Sequence, residues 1–273
     1  MPALAGLLAA GHDVAAVVTR PDRRRGRGAA LSPSPVKQAA LAAGLPVTDR
    51  ADDVLGAGVE LGVVVAFGQI LRAPLLGGVP LVNLHFSLLP RWRGAAPVER
   101  AILAGDEETG VCLMEVEAEL DSGPVYAQVR TAIGPEETAA HLRRRLAVLG
   151  RDLLVTQLAG GLGEARPQSG RPIYAPKIHP AELHLDWEQP AEQLARVVRA
   201  GRAWTAAAGQ RLLVLAATPE HPSPGGPPGS LGGTLVSTGA GGLRLRSVQP
   251  AGRAPLDAEA WRRGARHLTA LGP

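Results

Sequence analysis

The chain has 273 residues, 45% of them hydrophobic and 20% charged, with 29 basic against 25 acidic side chains for a net charge of +4. That length suits one large domain or, by the usual size of domains, two with separate cores. No apolar run is long enough for a bilayer and no basic-then-apolar leader opens the chain, so a cytoplasmic protein is expected. Only Lys37 and Lys177 are lysines, so position says more about the basic residues than their number does. Between Arg20 and Arg27 five arginines stand against one aspartate, a local excess as large as that of the whole chain.

In chain order, Ala3 to Ala10 reads as a short helix stopped by Gly11, and Asp13 to Val18 as a buried strand. An Arg/Gly/Pro loop follows, from Arg20 to Pro33. Ser34-Pro35 then has the form of an N-cap followed by a proline in the first helical turn, and Gly44 ends that helix. Leu61 to Phe67 and Leu81 to His85 are two further apolar strands. Strands alternating with helices predict an α/β fold with a doubly wound, mostly parallel sheet.

The stretch from Val82 to Pro97, VNLHFSLLPRWRGAAP, concentrates the chemistry. Asn83 and His85 sit two apart in a strand pattern, so both side chains leave one face. A break at Ser87-Leu88-Leu89-Pro90 leads to a loop carrying Arg91, Trp92, Arg93 and Gly94, then to a helix from Ala96 to Ala104. Polar side chains at the carboxyl end of a buried strand are where open α/β sheets place ligands. The lone Cys112, in the apolar run Gly110 to Val116, reads as a buried packing residue that excludes an internal disulfide. That run and Pro124 to Ile133 read as edge strands of the same sheet, joined by a turn that contains Asp121. A long helix is expected from Glu136 to about Ala159.

Residues 160–190 are rich in Gly and Pro, with few apolar pairs. The expected division is a catalytic domain over 1–165, a linker over 166–190 and a C-terminal domain over 191–273. After a helix from Ala191 to Ala200 come β-like runs at Arg211 to Ala216, Gly233 to Ser237 and Leu243 to Val248, the pattern of a small antiparallel barrel or sandwich. Pro222 to Gly229 reads as a mobile, chemically silent loop. The histidines are scattered and match no zinc spacing, so no metal is expected. Gly26-Arg27-Gly28 lacks the Gly-Lys-Ser/Thr of a phosphate loop, and Ser87 lacks a nucleophile elbow. Asn83, His85 and Asp121 together offer an amide donor, a titratable ring and a carboxylate able to orient it, a set that can polarise a carbonyl and move a proton.

At Val82 to Pro97 the sequence resembles the methionyl-tRNA formyltransferases. Thr19-Arg20-Pro21-Asp22-Arg23, Ser32 to Lys37, Val65 to Leu71, Leu120-Asp121-Ser122-Gly123 and Tyr174 to Ile178 stand in the family's order. The resemblance implies transfer of a formyl group from 10-formyltetrahydrofolate, as co-substrate and without a metal, to the α-amino group of methionyl initiator tRNA. It implies Asn83, His85 and Asp121 as catalytic residues. It implies a folate pocket from Phe67, Gln69, Ile70 and Leu71, from Ser87, Leu88, Leu89 and Pro90, and from the backbone around Glu119 and Leu120. Arg23, Arg24, Arg25 and Arg27 would contact the tRNA, with Arg27 as the key residue, and the C-terminal domain, similar to an oligonucleotide-binding barrel, would add a second basic surface. A monomer is expected.

Two features depart from the family pattern. Phe86 stands where many relatives carry a small residue or proline, and the family's first strand and Gly-Thr-Pro turn are not seen ahead of Ala3. The expectation is a start codon lying upstream of Met1, against a truncated, inactive product. The competing functions are formyl transfer to a small amine, which would need neither the arginine loop nor the C-terminal domain, and an RNA-binding remnant without catalysis.

Overall fold

The computed structural model describes residues 1–24, 31–69, 71 and 73–272. Contacts divide the chain into two units, one made of residues 1–97, 108–131 and 143–175, the other of 98–107, 132–142 and 176–273.

The first unit opens with helix α1 (Pro2–Ala9). Of the expected strand Asp13 to Val18 only β1 (Val17–Val18) is paired, in parallel with β4 (Val47–Thr48). Between them lie the antiparallel ribbon of β2 (Arg23–Arg24) and β3 (Leu31–Ser32), and helix α2 (Pro35–Ala42). Ser34 caps α2 as its sequence signal requires, its hydroxyl accepting from Lys37 N at 3.1 Å. Strand β5 (Gly62–Val65), helix α3 (Ala73–Gly78) and strand β6 (Leu81–His85) follow, with β5 and β6 in parallel.

Strand β7 (Arg91–Gly94) corrects the expected loop. It forms because β10 (Ile173–Ala175), from the stretch expected as a linker, pairs with it in parallel about eighty residues downstream, a pairing no local periodicity announces. Helix α4 (Pro97–Ala104) falls almost wholly in the second unit. Strands β8 (Glu108–Glu115) and β9 (Val125–Ala132) complete a four-stranded sheet in the order β5-β6-β8-β9. The expectation of two edge strands is therefore corrected for β8. It lies between β6 and β9, antiparallel to β6, and its six inner residues are buried.

Helix α5 (Ala139–Ala159) begins three residues later than expected. From Arg143 on it belongs to the first unit, where it lies close to the sheet. A methyl group at Gly150 would stand 3.3 Å from Val111 Cγ1 and 3.4 Å from Leu84 Cδ1, so the glycine sets this approach. A cluster of Leu75, Val79 and Leu81, with Leu71 and Val116 against it, packs where α3 runs into β6.

In the second unit α6 (Ala191–Ala200) buries Leu194, Val197 and Val198, an i, i+3, i+4 stripe. It packs into one core with Leu212, Val214, Val236, Leu243, Leu245, Trp187 and Trp261. The antiparallel sheet there has six strands, more than the three runs read from sequence: β11 (Trp204–Ala207), β12 (Gln210–Glu220), β13 (Leu231–Gly232), β14 (Leu235–Ser237), β15 (Gly242–Pro250) and β16 (Leu256–Asp257). Helix α7 (Ala258–Gly264) follows, capped by the Asp257 carboxylate. The loop expected to be mobile is tied down: Gly229 N donates to Ser237 O at 2.8 Å and Ser237 Oγ to Gly225 O at 2.8 Å. Among the described residues no helix is long and apolar enough to cross a membrane.

Candidate functional site

Strand β6 positions the first two polar residues of the site. In its register Asn83 lies opposite Met114 and His85 opposite Cys112, so both side chains leave the same face. Asp121 arrives from the turn between β8 and β9, in the left-handed region at φ +50°. For a residue with a Cβ that conformation costs about 1–3 kcal/mol, and it persists only where neighbours over-determine it.

Those neighbours are its own partners. The Asp121 carboxylate accepts from Gly94 N at 2.8 Å and from Asn83 Nδ2 at 3.4 Å, and one of its oxygens lies 3.6 Å from His85 Nδ1. The two ionisable side chains are nearly out of solvent, with exposures of 6% for His85 and 13% for Asp121. An ionised carboxylate is acceptor-only, so the Asn83 nitrogen must be the atom facing it, which leaves the second amide hydrogen for another acceptor.

His85 Nε2 stands 2.8 Å from the Trp92 carbonyl, and because a carbonyl only accepts, the ring proton must sit on Nε2. Nδ1, on the Asp121 side, is then the nitrogen able to take up or release a proton. Trp92 is itself at φ +65°, with the Arg91 guanidinium 4.5 Å over its indole. Gly94, at φ +118°, lets β7 come against β10, since a Cβ there would stand 2.9 Å from Ala175 O.

The turn after β6 is held from inside. Ser87 is fully buried and its hydroxyl donates to Arg91 O at 2.6 Å, while Leu89 N donates to Cys112 Sγ at 3.5 Å. Burial pushes the Cys112 thiol up to about 11, as expected for a packing cysteine. Leu88 lies over Gly110, and Pro90 O accepts from Ile173 N. Among the other residues expected to meet folate, Phe67 O accepts from Arg20 Nε at 3.1 Å and Leu71 packs on the Leu75 cluster. Gln69 is exposed, as are Glu119 and Leu120, the latter at 60%. Ile70, Arg25 and Arg27 lie outside the described residues. Arg23 and Arg24 are exposed side by side on β2.

The structure thus brings Asn83, His85 and Asp121 together and adds partners that the spacing of the sequence did not specify. These are the Trp92 carbonyl on His85, the Gly94 amide on Asp121, and Gln168, whose side chain reaches the Asp121 turn. A separate cavity of about 460 Å³ is lined by Thr19, Arg20, Asp22, Lys37, Thr48 and Asp49 among others, and contains the Lys37–Asp22 ion pair at 2.9 Å.

A profile of the formyl transferase family matches residues 4–158, and one of the formyl transferase C-terminal domain matches residues 177–266. The chain is 43% identical to a methionyl-tRNA formyltransferase of Methylococcus capsulatus, covering 95% of this chain and 91% of that protein. It is 45% identical to one of Roseobacter denitrificans, covering 93% and 88%. Among solved structures, an N-formyltransferase from Helicobacter canadensis in complex with folinic acid and dTDP-3-aminofucose superposes with a TM-score of 0.67 at 16% identity, over 91% of this chain and 94% of that one. HypX from Aquifex aeolicus in complex with tetrahydrofolic acid superposes with a TM-score of 0.62 at 19% identity, over 81% of this chain and 43% of that longer one. Likeness at these identities is likeness of fold.

Proposed function

Because the chain belongs to the methionyl-tRNA formyltransferase family, we propose that it transfers a formyl group from 10-formyltetrahydrofolate to the α-amino group of methionyl initiator tRNA. The observation that carries the reading is the Asp121 carboxylate, nearly out of solvent, which accepts from Asn83 Nδ2 and Gly94 N and lies 3.6 Å from His85 Nδ1.

The reaction asks three things of these residues. The free amine, which titrates at roughly 7.7 to 8.0, must attack as the neutral base. The formyl oxygen turns into an oxyanion, the carbon–nitrogen bond to folate breaks, and the departing nitrogen takes a proton. Asn83 donates its second amide hydrogen to that oxygen. His85, its Nε2–H held by Trp92 O, accepts the proton of the attacking nitrogen on Nδ1 and delivers it to the departing nitrogen. Asp121 stabilises the imidazolium formed between those steps.

The turns Phe67, Gln69 and Leu71, Ser87 to Pro90, and Glu119 to Leu120 form the folate side of the site in this reading, and Ile70 is assigned to the same set. Arg23 and Arg24, together with Arg25 and Arg27, meet tRNA phosphates, which gives a salt-dependent contact without base readout. The catalytic domain is assigned to 1–165 and the tRNA-binding domain to 191–273, and of the intervening 166–190 the part up to Ala175 folds with the first unit. The protein acts in the cytoplasm, as a monomer and without a metal.

The test is formyl transfer from 10-formyltetrahydrofolate to methionyl initiator tRNA, measured beside a nucleotide-linked amino sugar. Transfer to the tRNA alone is expected, with His85→Ala abolishing turnover while tRNA affinity is retained. Equal or better use of the small amine would overturn the tRNA reading. Binding of tRNA without any transfer would favour a non-catalytic RNA-binding protein.

A further inference from the structure

The turn that delivers Asp121 is held by a side chain outside the proposed catalytic three. Gln168 Nε2 donates to Asp121 O at 2.9 Å and to Gly123 O at 2.8 Å, so its two amide hydrogens span the turn. Its Oε1 accepts from Arg93 Nε at 3.0 Å and Arg93 Nη2 at 2.8 Å. A glutamine side chain has two N–H donors and one carbonyl oxygen, and here each is used.

The placement of Arg93 gives the arrangement its consequence. Arg93 stands between Trp92, whose carbonyl holds His85 Nε2, and Gly94, whose N–H holds the Asp121 carboxylate. Gln168 therefore ties the segment that orients the histidine to the turn that presents the carboxylate. Arg93 Nη1 also lies 3.6 Å from Glu119, on the same turn. Asp121 is in the left-handed backbone region, which aspartate enters singly where local hydrogen bonds hold it. The two carbonyls that Gln168 holds are Asp121's own and that of Gly123, two residues on.

We propose that Gln168 is a positioning residue for formyl transfer: with Arg93 as its anchor it holds the Asp121 turn so that the carboxylate faces His85 and Asn83. This rests on the reading of Asp121 as the partner of His85. Gln168 touches none of the reacting atoms, so its loss lowers kcat through Asp121, with a smaller effect on folate binding through the Glu119–Leu120 part of the same turn.

The experiment is a double-mutant cycle on the full chain, with kcat and KM for both substrates, combining Gln168→Leu with Asp121→Asn. Gln168→Leu is expected to lower kcat by roughly 10- to 100-fold with each KM within about threefold, and to have less than about a twofold further effect in the Asp121→Asn background. Gln168→Glu keeps an acceptor for Arg93 and loses both donors to the turn, so it gives the same loss if the donors matter and covers the case in which the leucine variant does not fold.

A second readout needs no activity. The Gly94 amide proton, bonded to the Asp121 carboxylate, should shift in the amide NMR spectrum of either Gln168 variant. Undiminished kcat in both Gln168 variants, an equal factor of loss in both backgrounds, or an unmoved Gly94 amide overturns the positioning role. If Asp121→Asn itself retains full kcat, the reading of Asp121 fails first and the role assigned to Gln168 fails with it. A loss in Asp121→Asn but not in the Gln168 variants sinks the positioning role alone.

Discussion

Replacing Asp121 with asparagine keeps the size and shape of the side chain and removes its charge. Of its contacts, the Gly94 N–H at 2.8 Å is the shortest and needs an acceptor, so the new amide oxygen turns toward it. The new NH2 then faces Asn83 Nδ2, formerly a 3.4 Å donor, and two donors oppose each other unless the Asn83 amide flips. A flip carries the Asn83 amide hydrogens away from the formyl oxygen. The larger effect falls on His85. With 3.6 Å between Nδ1 and the carboxylate, the attraction between an imidazolium and Asp121 is about 4–5 kcal/mol at an effective dielectric of about 20. At 1.36 kcal/mol per tenfold, that is an upper value of roughly three decades in rate. Pre-steady-state formylation, scored by separating formylmethionine from methionine after deacylation, should show kcat reduced by about 10²- to 10³-fold and KM for folate within about threefold. A loss below tenfold would refute the view that a charged His85 forms beside Asp121. A raised KM at unchanged kcat would make Asp121 a binding residue instead.

Other changes test the supports of the site and its proposed tRNA contacts. Gly94→Ala places a Cβ 2.9 Å from Ala175 O at a φ of +118°, so it should part β7 from β10. A thermal melt should fall by roughly 5–10 °C, with kcat falling further than the stability loss explains; an unchanged melt would show that β7 can shift to admit the methyl. Cys112, fully buried, should resist iodoacetamide at pH 8 until the protein is unfolded, and rapid native labelling would contradict its packing role. Its thiol is raised by burial from about 9 to about 11, so the unfolded chain loses that proton first. The contribution is intact below about pH 9 and fades as pH rises toward 11, by about 2–3 kcal/mol in total. Alkaline denaturation curves of the parent and Cys112→Ala should therefore converge over that interval, and parallel curves would argue against it. Arg23→Ala and Arg24→Ala should each lower the salt slope of tRNA binding by about 0.7–0.9 while kcat at saturating tRNA stays within twofold; an unchanged slope would remove them from the phosphate contacts.

Where a structural signal was local, reading along the chain reached it. The Ser34 cap, the proline at the start of α2 and the glycine after it bound that helix to within a residue or two. The helix Ala191–Ala200 and the five-residue apolar run of β6 were legible from their own residues. In the second unit β11, β13, β16 and α7 carry no local signal, because short runs such as Leu256–Asp257 gain their strand character from a neighbour, here β15. Arg91–Gly94 is likewise a polar stretch that looks like a loop until Ile173–Ala175 pairs with it.

The candidate site divides along the same line. Asn83 and His85 share a strand face, which alternation alone dictates, and Asp121 joined them through the order of motifs along the chain. Their functions within the geometry are another matter. The Nε2 proton of His85 is assigned by the Trp92 carbonyl, the orientation of the Asn83 amide by the Asp121 carboxylate, and the strained Asp121 turn is braced by Gln168 from a stretch with no periodicity. Residue types, the strand face and the local helix signals follow from neighbours within a few positions, which is why they are legible along the chain. Which hydrogen-bond partner each polar atom takes depends on segments up to eighty residues apart brought together by folding, because burial leaves each polar group to find its partner within the protein.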